Sequence, residues 1–174
     1  MPRKSSTSSK PELDIGLYKA TEFPLAITRV LDVLKFPGED FILCNYHSYE
    51  YKLSSISKDL SRRDQFAVLS TERVLSVTLS ERLLAKRCLW AWLDSLTKFY
   101  ENFQPITRHD YSSRTIELYI DVVTPRKFAL EFAAELFDAY RVFRDALILS
   151  VRARRTGQHP DVEQIFHMVD SIQH

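Results

Sequence analysis

Residues Arg114–His174 read RTIELYIDVVTPRKFALEFAAELFDAYRVFRDALILSVRARRTGQHPDVEQIFHMVDSIQH, and four elements follow one another there almost without a linker. Ile116, Leu118, Ile120 and Val122 alternate with Glu117, Tyr119 and Asp121, which is the period of a half-buried strand over Thr115–Val123. Thr124 can cap and Pro125 suits a first helical position, so a helix is expected next. Its apolar ridge would be Phe128, Phe132, Leu136, Tyr140 and Phe143. From Ala146 the period returns to two: Leu147, Leu149, Val151 and Ala153 alternate with Ile148, Ser150, Arg152 and Arg154. That pattern predicts a second strand over Ala146–Arg154. Gly157 and Pro160 mark a turn, and Val162, Ile165, Phe166 and Val169 give a short last helix. No reactive group stands out in the block, so it reads as a scaffold.

Working outward, residues 1–14 separate from the rest. Arg3, Lys4 and Lys10 stand among Ser5, Ser6, Ser8 and Ser9, a polar, mildly basic tail with too little apolar surface to order itself. The folded body is expected over 15–174 as a single domain. Thr21 to Lys35 places Ile27, Val30, Leu31 and Leu34 on one helical face, and Pro37-Gly38 stops the run. The β-branched content of that run keeps a strand open as the alternative. Asp40 to Leu53 suggests extended structure, and Ser54 to Asp64 a polar loop carrying Lys58, Arg62 and Arg63. Phe66–Leu69 and Arg73–Leu79 read as strands. Ser80 is a reasonable N-cap for a long helix from Glu81 to about Asn102, with Leu84, Cys88, Trp92, Leu96, Phe99 and Phe103 as its stripe. Trp90 falls off that stripe, which leaves it as a protein-contact candidate or as part of a second packing face.

Composition bounds the function class. A chain of 174 residues is long enough for one well-buried core. A net charge of +1 confines any electrostatic role to local patches. Three glycines argue against phosphate-cradling loops and glycine-hinged lids. Cys44 and Cys88, widely separated, fit reduced thiols better than a disulfide scaffold. No apolar stretch approaches the roughly 20 residues of a membrane span, and no signal peptide or lipidation box is read.

Catalytic constellations are weak. Cys44-x-x-His47 is half of a metal site at most, and no second pair has matching spacing. Glu163 and His167 stand one helical turn apart, where an exposed pair is the plainer reading than a metal site. Glu131 and Glu135 are expected on one solvated helix face. No metal, cofactor or catalytic residue is assigned, and the enzyme reading loses. Basic clusters are better candidates. Lys58, Arg62 and Arg63 share a loop, Arg82, Lys86 and Arg87 begin the long helix, and Arg152, Arg154 and Arg155 end the last strand. Such clusters can meet lipid or nucleic-acid phosphate, although a solvated face balanced by acids is the plainer reading. Nothing supports sequence-specific nucleic-acid reading.

The order of elements around Arg114-Thr115-Ile116-Glu117-Leu118, Phe143-Arg144-Asp145-Ala146-Leu147-Ile148-Leu149 and Val169-Asp170-Ser171-Ile172 resembles the C-terminal portion of rhabdovirus matrix proteins. A strand leading into a Trp-containing helix (Val74 to Trp92) and a short basic tail before one globular domain are similar to that family too, most of all to its short plant-infecting members. The resemblance implies a structural protein that self-associates and links the nucleocapsid to the inner face of the envelope during assembly and budding. Implied partners are further copies of the chain, the nucleocapsid, an anionic membrane surface and the viral glycoprotein. The implied location is the virion beneath the envelope, and host cytoplasm and internal membranes. The resemblance carries Arg3, Lys4 and Lys10 over to the tail's membrane or nucleocapsid contacts. Lys58, Arg62, Arg63, Arg152, Arg154 and Arg155 join them from the cluster reading. No Pro-Pro-x-Tyr or Pro-Ser/Thr-Ala-Pro motif is present, which departs from relatives that recruit host scission machinery. The expected architecture is α+β, an antiparallel sheet packed with amphipathic helices. The alternative function is a viral accessory RNA-binding protein, such as a suppressor of host RNA silencing.

Overall fold

A computed structural model describes residues 13–51, 61–102, 115–123 and 127–173. Among these residues eight antiparallel strands form two sheets, packed with three α-helices, so the expected α+β architecture holds. Five strands make the larger sheet in the order β1 (Gly16–Lys19), β2 (Phe41–Tyr51), β3 (Ser61–Ser70), β4 (Arg73–Leu79) and β5 (Ala85–Trp92). The second sheet runs β6 (Leu96–Asn102), β7 (Thr115–Val122) and β8 (Lys127–Ala133). Each neighbouring pair is adjacent in sequence, a meander that needs no crossover.

Helix α1 (Leu25–Leu34) covers one face of the larger sheet. Its Ile27, Val30 and Leu31 pack with Cys44, Tyr46, Phe66, Val68, Leu75 and Val77. The opposite face contributes Leu43, Ala67, Leu69, Val74 and Ala91 to a second core. There they meet Ile116, Leu118 and Ile120 of β7, Phe128, Leu130 and Phe132 of β8, and the long helix α2 (Phe137–Arg155). Helix α3 (Val162–Asp170) closes that core with Ile165 and Val169. Asp161 caps α3, its carboxylate accepting from the Gln164 amide at 3.1 Å. The central strands are therefore buried on both faces, and they read as apolar runs rather than strict alternations.

Four sequence expectations are corrected. The helix from Glu81 to Asn102 is two strands, β5 and β6, separated by a short 3-10 turn at Leu93–Ser95. Positions four apart share a face in a helix and also in a strand, so Leu84, Cys88, Trp92 and Leu96 satisfy both periods. Trp90 decides between them, because Cys88, Trp90 and Trp92 follow period two while Leu89 and Ala91 fill the other face. Ser80 caps a hairpin instead: its hydroxyl accepts from the Leu84 amide at 3.3 Å, and its own amide donates to the Leu84 carbonyl at 2.9 Å. Leu83 completes that turn at φ 56°, a strained conformation for a branched-chain residue, held by burial of its side chain under α1.

The helix expected after Thr124-Pro125 is strand β8 as far as Ala133, and Phe128 and Phe132 again stand four apart. Residues 124–126 lie outside the described part. The strand expected over Ala146–Arg154 is the second half of α2. Tyr140, Phe143, Ala146, Leu147, Ser150 and Val151 form its buried face at spacings of three and four. Ile148 and Leu149 are only partly covered, and this blurred the helical period. The loop expected over Ser54–Asp64 is strand from Ser61 onward.

Candidate functional site

The basic residues singled out from the sequence do not converge. Arg3, Lys4, Lys10 and Lys58 lie outside the described residues. Arg62 sits on β3, where Nε donates to Ser48 Oγ and Asp64 Oδ1, both at 3.0 Å, and Nη2 to the Tyr46 hydroxyl at 3.1 Å. Arg63 pairs with Glu131 of β8 at 3.4 Å and so ties the two sheets together. Glu131 is thus a strand residue, not half of an exposed helix pair with Glu135. Burial, joined by the neighbouring Glu117 charge, raises its pKa against the opposing pull of Arg63.

Arg154 bonds Glu72 at 3.2 Å, and Arg155 donates to the Leu96 carbonyl. These two fasten the C-terminal turn of α2 onto the β3–β4 turn and the start of β6. They lie on a helix rather than on the polar side of a strand. Arg152, in the same turn, points into solvent. Cations in a last helical turn also suit the helix dipole. Most of these arginines staple the fold.

The thiol and imidazole of Cys44-x-x-His47 cannot share a metal. Cys44 packs under α1, whereas His47, three residues on, faces the other side of β2. His47 Nε2 lies 3.2 Å from Thr115 Oγ1, and its Nδ1 has no partner. Burial holds its pKa down at about 4, against the pull of the Glu135 and Asp64 charges. Burial likewise pushes the Cys44 thiol well up, which makes it a poor nucleophile. Glu163 and His167 are both exposed on α3. No group of three or more metal-ligating side chains occurs among the described residues. None of their helices is long and apolar enough to cross a membrane.

What the fold does assemble is an outward face on α1 and the adjoining β4–β5 hairpin. Leu25, Arg29 and Val33 recur every four residues and form one stripe along the solvent side of α1. Leu25 is 78% and Val33 80% exposed. Arg29 Nη2 donates to the Arg82 carbonyl at 3.3 Å, which sets the hairpin beside this stripe. Leu84 is 46% and Trp92 44% exposed, so four of the large apolar side chains left in solvent gather here. Lys35 and Lys86 are exposed beside them with Arg29 and Arg82, against the acids Asp32 and Glu81.

Beneath the aromatic end of this face lies a buried ion pair. Arg73 and Glu39 are each 1% exposed. Arg73 Nε donates to Glu39 Oε2 at 2.7 Å and Nη2 to Oε1 at 2.6 Å, a bidentate fork. Ser70 Oγ and the Phe36 amide also donate to the carboxylate, at 2.6 and 3.0 Å. Burial works to raise the Glu39 pKa, but these donors outweigh it and leave the carboxyl below its ordinary value. The Phe36 ring covers the guanidinium at 3.7 Å, with the Trp90 ring 5.0 Å away. Trp90 meets Phe36 edge-on at 5.4 Å and Trp92 at 4.9 Å. Trp90 is half-buried in this stack, and Trp92 is the tryptophan that reaches solvent. Sequence spacing missed the pair because Glu39 and Arg73 are 34 residues apart. No protein-family model, no curated protein and no solved structure matches the chain.

Proposed function

We propose that this chain is a self-associating structural protein of the viral matrix type, peripheral to an anionic membrane, with the outward face of α1 as its membrane side. Strand β8 and helix α2 replace the helix and strand on which the family resemblance leans. The reading therefore rests on one observation: exposed Leu25, Val33, Leu84 and Trp92 interleaved with Arg29, Lys35, Arg82 and Lys86. Apolar side chains can enter the headgroup boundary while lysine and arginine stems lie along it with their charges outward. Four cations near an anionic surface contribute on the order of 1 kcal/mol each, screened by salt. The nucleocapsid, the glycoprotein and further copies of the chain remain the other partners of this reading, carried by the resemblance alone.

Sedimentation with vesicles tests it. Phosphatidylserine-containing vesicles should pull down the full chain at low salt, and neutral phosphatidylcholine vesicles far less. Leu25→Glu/Val33→Glu should abolish the pull-down while leaving the thermal midpoint close to wild type, since both side chains are already in water. Indifference to vesicles at low salt, in a protein that stays monomeric at high concentration, would sink the proposal. A gel shift with duplex RNA on the same face, stronger than vesicle binding, would favour the RNA-binding alternative.

A further inference from the structure

At the edge of the larger sheet opposite β5, an open groove of about 520 Å³ runs between β1 and the adjacent ends of α2 and α3. Its apolar lining includes Ile15, Leu136, Phe137 and Ile172, and its polar rim carries Glu135 and Asp138. Among the described residues no lysine or arginine lines it. Ile15, Leu136 and Phe137 are exposed, a second group of solvent-facing apolar side chains separate from the α1 face. On its outer side β1 has no partner strand among the described residues. Gly16, at φ 150°, starts this strand in a conformation that side chains rarely adopt.

We propose that this groove docks an extended segment of a partner protein, one that presents a large apolar side chain flanked by lysine or arginine. The proposal is independent of the membrane reading, because α1 packs on one face of the larger sheet whereas α2 and α3, which flank the groove with β1, pack on the other. An unpaired edge offers main-chain donors and acceptors to a strand laid beside it, and the adjoining pocket selects a side chain. The 520 Å³ leaves room for a large apolar side chain together with part of the backbone that carries it. Charge sets the flanks. Among the described residues Asp138 is answered by the exposed Arg141 alone, at 3.2 Å, and Glu135 and the nearby Asp14 add further negative charge. Two other occupants fit less well. Residues 2–12 supply cations but no large apolar anchor. A second copy paired edge to edge would set Asp14, Glu135 and Asp138 against their own counterparts, and like charges directly opposed are unfavourable.

The test is selection of a random twelve-residue peptide display library on the full chain. Enriched peptides should carry an apolar residue flanked by Lys or Arg. Their affinity should fall roughly tenfold or more on Glu135→Lys/Asp138→Lys, as expected for losing two ion pairs and gaining repulsion. Phe137→Gln should weaken them as well, and amide chemical-shift changes in the wild-type chain should centre on residues 15–18 and 135–139. Thermal melts of each variant check folding, and the wild-type shift map stands even where a variant melts early. An unenriched library, acidic consensus peptides, or shifts centred elsewhere would overturn the proposal. Displacement of the selected peptides by a synthetic peptide of residues 1–12 would also overturn it, by making the chain's own tail the occupant. Loss of their binding on self-association through β1 would do the same for a second copy.

Discussion

Replacing Arg73 by methionine tests the least expected feature of the core. The substitution keeps most of the stem volume and removes the guanidinium, so the Glu39 carboxylate stays buried with Ser70 Oγ and the Phe36 amide as its remaining donors. It also strands the Leu34 carbonyl, which accepts from Arg73 Nη2 at 2.8 Å. Breaking a buried pair by removing one partner costs about 3–5 kcal/mol, because the surviving charge is desolvated without compensation. Glu39→Gln should cost about 3–5 kcal/mol as well, since it leaves the Arg73 guanidinium, which cannot shed its proton, buried without a counter-charge. The double variant should fall short of the sum by about 0.5–3 kcal/mol, the coupling expected of residues in one network.

Urea unfolding followed by tryptophan fluorescence suits the measurement. The chain has two tryptophans, Trp90 and Trp92, and both stack with Phe36 over this pair. The pH dependence adds a sign. In the wild type the Glu39 carboxyl sits below its ordinary value, so its contribution is present above the unfolded carboxylate range and is lost as pH falls through the folded value. Without Arg73, burial dominates and the folded pKa rises above the unfolded one. Stability should then decrease as pH climbs through the same range. A cost below about 1 kcal/mol for Arg73→Met, with an unchanged pH slope, would refute the reasoning, because a pair that replaceable is not desolvated.

Other expectations follow from the same packing. His47, held at about 4, binds a proton more weakly folded than unfolded, so stability should fall by on the order of 3 kcal/mol as pH drops from about 6.5 towards 4. Its surroundings, Thr115, the Tyr49 ring at 5.3 Å and the Glu135 and Asp64 charges, stay in place in His47→Asn, which should flatten that slope in denaturation series. Phe132→Ala removes a fully buried ring that meets Tyr140 at 5.1 Å and Phe143 at 5.2 Å, and should cost about 3–5 kcal/mol by urea unfolding. Arg154→Ala breaks a partly exposed bridge to Glu72 and should cost no more than about 1 kcal/mol, visible chiefly as faster amide exchange in the last turn of α2.

Legibility in the sequence tracked how many faces of an element are buried. Strand β7 was readable because Ile116, Leu118 and Ile120 face the core while Glu117, Tyr119 and Asp121 do not. Helices α1 and α3 showed one apolar stripe each and a clear stop. Strand β5, with Cys88 and Trp90 turned to one core and Leu89 and Ala91 to the other, offered consecutive apolar residues, and its i, i+4 set mimicked a helix. The second half of α2 failed in the reverse direction, since the partly covered Ile148 and Leu149 filled the gaps between buried turns. Of the basic residues placed by the structure, the sequence located them but not their partners, and Arg62, Arg63, Arg154 and Arg155 are engaged within the fold.

By itself the sequence determined the α+β class, the segments of β2, β4 and β7, the Phe66–Leu69 part of β3, and the two amphipathic helices at either end. Those properties are local or compositional, written in spacings of two to four residues and in residue counts. Only the tertiary structure decided the two-sheet layering, the Glu39–Arg73 pair under Phe36 and Trp90, the apolar and cationic face of α1, and the groove beside β1. Each of these is made by residues tens of positions apart, and their proximity depends on which faces the strands and helices bury against one another.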